Sequence, residues 1–225
     1  LPRPPRHLAL IPDGNRRWAR ARGLPGPQGH LAGIDVVGDI AAAAWDAGVQ
    51  VVTFWWGSPA NLLARPPAEV DVITGSLSSW LSTRGAATIA AHDARFLALG
   101  RWPQLCPQIQ PGIDAARHAA GAGPRTLALL MAYDGRDELL AAADRLAGSG
   151  GSRDAFAAAL WTGALPPVDL VIRTGGEPHL SAGFMLWQIA EARLHFSDKL
   201  WPDFAPADVG EALAAYAATE RRFGR

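Results

Sequence analysis

A chain of 225 residues, 49% apolar and 19% charged, can bury a sizeable core as one domain, and its 21 basic and 21 acidic residues give no general attraction to nucleic acid. The single cysteine, Cys106, excludes an internal disulfide and any cysteine-rich metal site. No run approaches the roughly 20 apolar residues of a membrane span, and the opening LPRPPRH lacks the apolar core of a signal peptide, so a single domain over 1–225 in the cytoplasm is expected.

Leu8 to Ile11 is a short apolar run that reads as a buried strand; Pro12-Asp13-Gly14-Asn15 breaks it, and Arg16, Arg17, Trp18, Ala19 and Arg20 open a helix. The first turn of a helix carries unsatisfied N–H donors and a positive dipole end, and two guanidiniums add bidentate bonds; together they suit a diphosphate. Asp13 would repel a bare phosphate, so its presence among these donors points to a bridging cation such as Mg²⁺. On local composition alone, an Asp-Gly turn before a solvated basic helix is as good a reading. Next, Gly29-His30 leads into a helical pattern through Ile34, Val37, Ala41, Ala44 and Trp45, closed at Gly48, with His30 in its first turn and facing the same mouth as Asp13. A β-branched and aromatic strand at 51–56 precedes a Gly/Pro loop at 57–66 and a helix at 69–81. Strands at 94–99 and 126–132 alternate with helices at 103–120 and 137–146, and 149–152 reads as a flexible link. A strand at 170–172 ends in the Arg173-Thr174-Gly175-Gly176-Glu177 turn, and a last helix spans 207–222. This alternation implies an α/β fold, a single domain with an open, mostly parallel sheet flanked by helices, in which ligands bind beyond the carboxyl ends of the strands. Asp13, Ser58 and Arg173 each follow a predicted strand and therefore converge on one face.

IPDGNRRWAR resembles the opening signature of the cis-prenyltransferase family, whose members make undecaprenyl diphosphate or short Z-prenyl diphosphates. The likeness recurs at Gly29-His30 (GHxxG), in the loop at 57–66 (FSTENWxRP, matched at Ser58, Asn61 and Arg65), at Tyr133 to Arg136 (NYGGR), and over 169–204, DLVIRTGGEPHLSAGFMLWQIAEARLHFSDKLWPDF, its most specific stretch. The resemblance implies catalytic roles for Asp13, Asn15 and His30, with Asp13 also holding Mg²⁺. It implies substrate binding by Gly14, Arg16, Arg17, Trp18, Ser58, Asn61, Arg65, Arg173, Glu177, His179 and Ser181. An allylic diphosphate held near Asp13, Arg17, His30 and Arg65 would ionise, and isopentenyl diphosphate held by Arg173 and Ser181 would attack it to give a short Z-prenyl diphosphate. The expected partners are isoprenyl diphosphate substrates and a second copy in a homodimer, with membrane contact only through the product.

The departures from the family pattern carry equal weight. Gly26 stands where the family has an arginine, Ala60 where it has a glutamate, Ala132 where it has an asparagine, and one residue is added before Arg65. His179 replaces a diphosphate-binding arginine, and imidazole offers neither the planar fork nor a permanent charge. Arg193 stands where the family has the glutamate that reaches Mg²⁺ in the neighbouring subunit, which puts the metal in doubt; Glu191 could substitute, or Arg193 could itself meet phosphate. Trp56 and Trp80 either shorten the product tunnel or are ordinary core residues. Arg221-Arg222-Phe223-Gly224 is either a tail donated across a homodimer, as in the family, or a basic helix end complementing its dipole. Two other functions stay open: an atypical member that joins two allylic diphosphates head-to-middle or acts as a terpene synthase, and a non-catalytic partner subunit.

Overall fold

The computed structural model describes residues 4–148 and 151–218. β1 (His7–Ile11) leads into α1 (Asn15–Ala21), α2 (Gly26–Asp35) and α3 (Val37–Asp46). β2 (Val51–Trp55) is followed by α4 (Pro59–Ala64), α5 (Pro67–Trp80), a π-helical turn (Leu81–Gly85) and α6 (Ala86–Ala91). After β3 (Arg95–Leu99) come α7 (Trp102–Leu105), a 3-10 turn (Pro107–Ile109) and α8 (Gln110–Ala119); after β4 (Thr126–Leu130) come α9 (Gly135–Arg145) and α10 (Arg153–Ala159). β5 (Leu170–Arg173) and β6 (Arg193–Phe196) precede a 3-10 turn (Trp201–Asp203) and α11 (Pro206–Ala218).

The six strands form one sheet in the order β3-β4-β2-β1-β5-β6, and every pairing is parallel. Alternate side chains fill two cores. Leu8, Leu10, Val52, Phe54, Leu127, Leu129 and Ile172 join the larger one with α3, α8 and α11, while Ala9, Ile11, Ala128, Leu130 and Val171 pack with Tyr133, Phe184 and Met185 on the other face. Burial on both faces explains why the central strands read as unbroken apolar runs. Among the described residues no helix is long and apolar enough to cross a membrane.

Several predicted boundaries move. The helix expected from Gly29 begins earlier, at Gly26, and breaks at Val36, so His30 lies beyond its first turn. The helix expected at 103–120 is in three pieces, because Cys106 precedes Pro107 and takes φ −149 and ψ 58, outside the helical region that a following proline disfavours. β6 was not predicted: an edge strand, it exposes Leu194 and Phe196 and turns the half-buried Arg193 and His195 to its other face. Part of the predicted link at 149–152 and the whole 221–224 tail lie outside the described residues.

His7 opens β1 fully buried, with Nδ1 2.8 Å from the Pro166 carbonyl and Nε2 2.8 Å from the Thr53 hydroxyl. Burial outweighs the Pro166 bond and holds its pKa down from 6.5 to about 4. Between those two values the unfolded chain binds a proton that the folded chain refuses, so stability falls as pH falls through this window and levels off below it. At about 1.36 kcal/mol per pKa unit the loss approaches about 3 kcal/mol. Denaturant unfolding from pH 7.5 to 4 is expected to show this slope, and His7→Asn is expected to flatten it; an equally steep slope in the variant would remove His7 as the cause.

Candidate active site

At the carboxyl ends of β1, β2 and β5 the surface opens into a cleft of about 300 Å³. The chain leaves β1 for β2 on one side and returns as β5 on the other, and open parallel sheets bind ligands at such a switch point. Of the predicted site residues, Asp13, Gly14, Asn15, Arg16, Arg17, His30, Asn61, Arg65, Arg173 and Ser181 line this cleft. Its apolar wall is Ile11, Ile73, Trp55, Trp56 and Trp201.

One group of charges is tightly knit. Arg173, only 3% exposed, donates to Asp13 Oδ2 at 2.7 Å, to the Ser181 hydroxyl at 2.8 Å and to the His179 carbonyl at 2.8 Å. Arg17 donates to the Gly175 carbonyl at 2.7 Å and lies 3.4 Å from Asp13 and 3.7 Å from Glu177. The Asp13 backbone is clamped as well: its N–H donates to the Thr174 hydroxyl, and its carbonyl accepts from Thr174 Oγ1 and from the Trp201 N–H. Gly14 turns the chain at φ 105, where a Cβ would come within 2.8 Å of Leu200 Cδ2, so only glycine fits. α1 is seven residues long, and its short dipole adds little to the pull of these guanidiniums.

A second group is loose. Arg16 and Arg65 approach Glu69 at 3.8 and 3.9 Å, beyond hydrogen-bond reach. His30 lies in the same field: burial first, then Arg65 and Arg16, push its pKa down to about 3, so the ring is neutral at physiological pH. Asn15 Oδ1, His30 Nε2, Arg65 Nε, Glu69 Oε1 and Arg173 Nε are all buried without a hydrogen-bond partner. Buried polar groups are normally paired, and a concentration of uncommitted donors and acceptors around one cleft equips it to hold a polar ligand.

The remaining predicted residues lie elsewhere. Trp18 donates its indole N–H to Asp203 at 2.7 Å and is covered by Arg22, away from the cleft. Ser58 is buried and caps α4 in a reciprocal box with Asn61. Glu177 and His179 sit exposed at the rim, 3.7 Å apart. Trp80, unlike Trp56, is lodged in the core, in a slot that the missing side chains of Gly38 and Gly85 leave open. Arg193 turns toward α11, donating to the Tyr216 carbonyl at 2.9 Å over the Tyr216 ring, and does not line the cleft; Glu191 is exposed. Sequence reasoning missed Thr174, Trp201 and Glu69. The first two lie within matched motifs, and Glu69 stands one helical turn after Arg65.

Comparison with known proteins speaks to the family and the fold. The family model described as "Putative undecaprenyl diphosphate synthase" matches residues 11–224. An isoprenyl transferase of Geobacter sulfurreducens is 36% identical over 98% of this chain and 93% of its own. A ditrans,polycis-undecaprenyl-diphosphate synthase of Pseudomonas aeruginosa, specific for (2E,6E)-farnesyl diphosphate, is 38% identical over 98% and 91%. The crystal structure of lavandulyl diphosphate synthase from Lavandula x intermedia in complex with dimethylallyl diphosphate superposes with a TM-score of 0.92 at 31% identity, covering 98% of each chain. With the motifs, the all-parallel sheet and full-length likeness in agreement, the chain belongs to the undecaprenyl diphosphate synthase family of cis-prenyltransferase enzymes.

Proposed function

We propose that this enzyme condenses an allylic diphosphate with isopentenyl diphosphate to a short Z-prenyl diphosphate. The observation that carries the reading is that one cleft holds two guanidinium pairs, Arg16 with Arg65 and Arg17 with Arg173, alongside an apolar wall of indoles and isoleucines. Two diphosphates and two prenyl chains ask for that arrangement. The allylic diphosphate lies toward Arg16, His30 and Arg65, where guanidiniums stabilise the charge of the departing group; the wall keeps water from the carbocation. Isopentenyl diphosphate lies toward Arg173 and Ser181, and its double bond attacks the cation.

Mg²⁺ fits this donor set in one way. Among the described residues no three His, Cys, Asp or Glu side chains converge to hold a metal by themselves. Asp13 is the carboxylate on the cleft, and Mg²⁺ in phosphate sites takes one or two carboxylates, the substrate's oxygens and water. Bound there, the ion would neutralise charge on the diphosphate. A homodimer is part of the same proposal, supported by the place of β6 at the sheet edge, unpaired on one side among the described residues, with Leu194 and Phe196 exposed.

The deciding experiment is product analysis of the purified protein with dimethylallyl and geranyl diphosphates, each with and without isopentenyl diphosphate and Mg²⁺. Z-products that require isopentenyl diphosphate are expected. The second reading, head-to-middle joining of two allylic units, has one observation in its favour: Arg193, at the place where the family pattern described above has a glutamate, is tied to Tyr216 rather than facing the cleft. Products from allylic diphosphates alone would establish that reading, or a terpene-synthase reaction; no product would point to a partner subunit. Chain length is set in this proposal by Trp56 on the cleft wall. An indole fills about 150–250 Å² of contact surface, so Trp56→Ala is expected to shift products, read by mass spectrometry, at least one isoprene unit longer; an unchanged distribution would place the limit elsewhere.

A further inference from the structure

Glu69 is the third residue of α5, where the helix dipole favours a carboxylate, and a residue serving only the dipole would turn its oxygens to water. Here one of them, Oε1, is buried and accepts no hydrogen bond. It sits 3.8 Å from Arg16 Nε and 3.9 Å from Arg65 Nε, so two cations share one oxygen at ion-pair distance and neither bonds it. Arg65 Nε and the nearby His30 Nε2 are left without partners. Gly26 leaves room for this arrangement: its nearest neighbour is Arg16 Cγ, 3.9 Å from where a Cβ would stand, so the Arg16 stem crosses the start of α2 unobstructed. The contrast with Asp13, bonded to Arg173 at 2.7 Å, is between a tight pair and a loose one.

We propose that Glu69 is a built-in counter-anion, standing between Arg16 and Arg65 in place of a phosphate group and competing with the diphosphate for them. The inference rests on the reading of the cleft as a diphosphate site. A phosphate offers several oxygens to two guanidiniums, where Glu69 offers one at a distance, so the ligand displaces the carboxylate's hold on entry. When pyrophosphate must leave, the carboxylate recovers the two cations and lowers the barrier to release. Glu69 therefore weakens anion binding while keeping Arg16 and Arg65 aimed into the cleft.

The sign of this effect separates it from a structural role. Calorimetric titration with inorganic pyrophosphate, in chelator, is expected to show Glu69→Gln binding roughly three- to fivefold tighter than the native protein, the size of a partly screened ion-pair effect. The gain is expected to vanish in an Arg16→Ala background, and turnover by Glu69→Gln to become more sensitive to pyrophosphate inhibition with a lower kcat. Glu69→Asp, which keeps the charge at the helix start and shortens its reach, is expected to bind pyrophosphate more tightly to a smaller degree and serves if the glutamine variant does not fold. Equal or weaker binding in a variant that melts like the native protein would overturn the proposal. Failure of the native protein to bind pyrophosphate at all would instead strike the diphosphate reading.

Discussion

Arg173→Ala is expected to lower turnover about 10²–10³-fold, the size of losing one donor preorganised for developing charge, and to destabilise the fold by about 1.5–3 kcal/mol, the size of losing hydrogen bonds to a charged group whose carboxylate partner stays partly exposed. Both effects follow from one side chain, 3% exposed, closing β5 against the turn after β1. Its fork bonds Asp13, Ser181 and the His179 carbonyl, each at 2.7–2.8 Å, and lies 3.5 Å from Glu177. Without it, Asp13 keeps only its own turn and the more distant Arg17, and three groups from two separate loops lose their common donor. Arg173→Lys preserves the charge and loses the fork, so it is expected to recover much of the stability and little of the turnover. Denaturant unfolding and steady-state kinetics with each diphosphate varied in turn test this, with the larger rise in KM expected for isopentenyl diphosphate. Turnover within tenfold of native for the alanine variant would remove Arg173 from the site.

The residues that could be read from sequence are those whose chemistry is tied to a strand end. β1 and its Asp13-Gly14 turn, and β5 with Arg173, were both visible because an apolar run followed by glycine, arginine and carboxylate has one natural place in a parallel sheet. Glu69 was not visible, because a glutamate four residues after an arginine at a helix start reads as an ordinary surface pair; only the packing of α2 against both α1 and α5 brings Arg16 to it. Trp18 and Ser58 lay in matched motifs, yet one faces Asp203 and the other caps α4, since a motif fixes residue identity and the fold decides which side chains turn inward. β6 and the break at Val36 were hidden for a third reason: the half-buried face of β6 is Arg193 and His195, so no apolar run marks it, and a helix break can leave composition almost unchanged; the break at Cys106, by contrast, was legible in Pro107.

Gly29→Ala is expected to cost about 3 kcal/mol of stability, the upper part of the usual overpacking range, and to lower turnover about 10²-fold, as a misplacement of about 1 Å does. A Cβ at 29 would stand 1.9 Å from the Asn15 carbonyl oxygen and 2.7 Å from the carbon it is bound to. These are backbone atoms, so no rotamer change relieves the clash and α1 as a whole must move away from α2. α1 carries Asn15, Arg16 and Arg17, and α2 carries His30, so the movement opens the cleft along the line where the two sets of donors meet. Gly75→Ala is the matched control: it lies within α5 with nothing inside 4 Å of its would-be Cβ, and the gain in helix propensity is expected to stabilise by roughly 0.5–1 kcal/mol. Unfolding free energies for the two variants should therefore move in opposite directions, down for position 29 and up for 75, while kcat falls for 29 and stays level for 75. A Gly29→Ala protein with native stability and turnover would show that the close approach of α1 to α2 is not what holds the diphosphate donors in register.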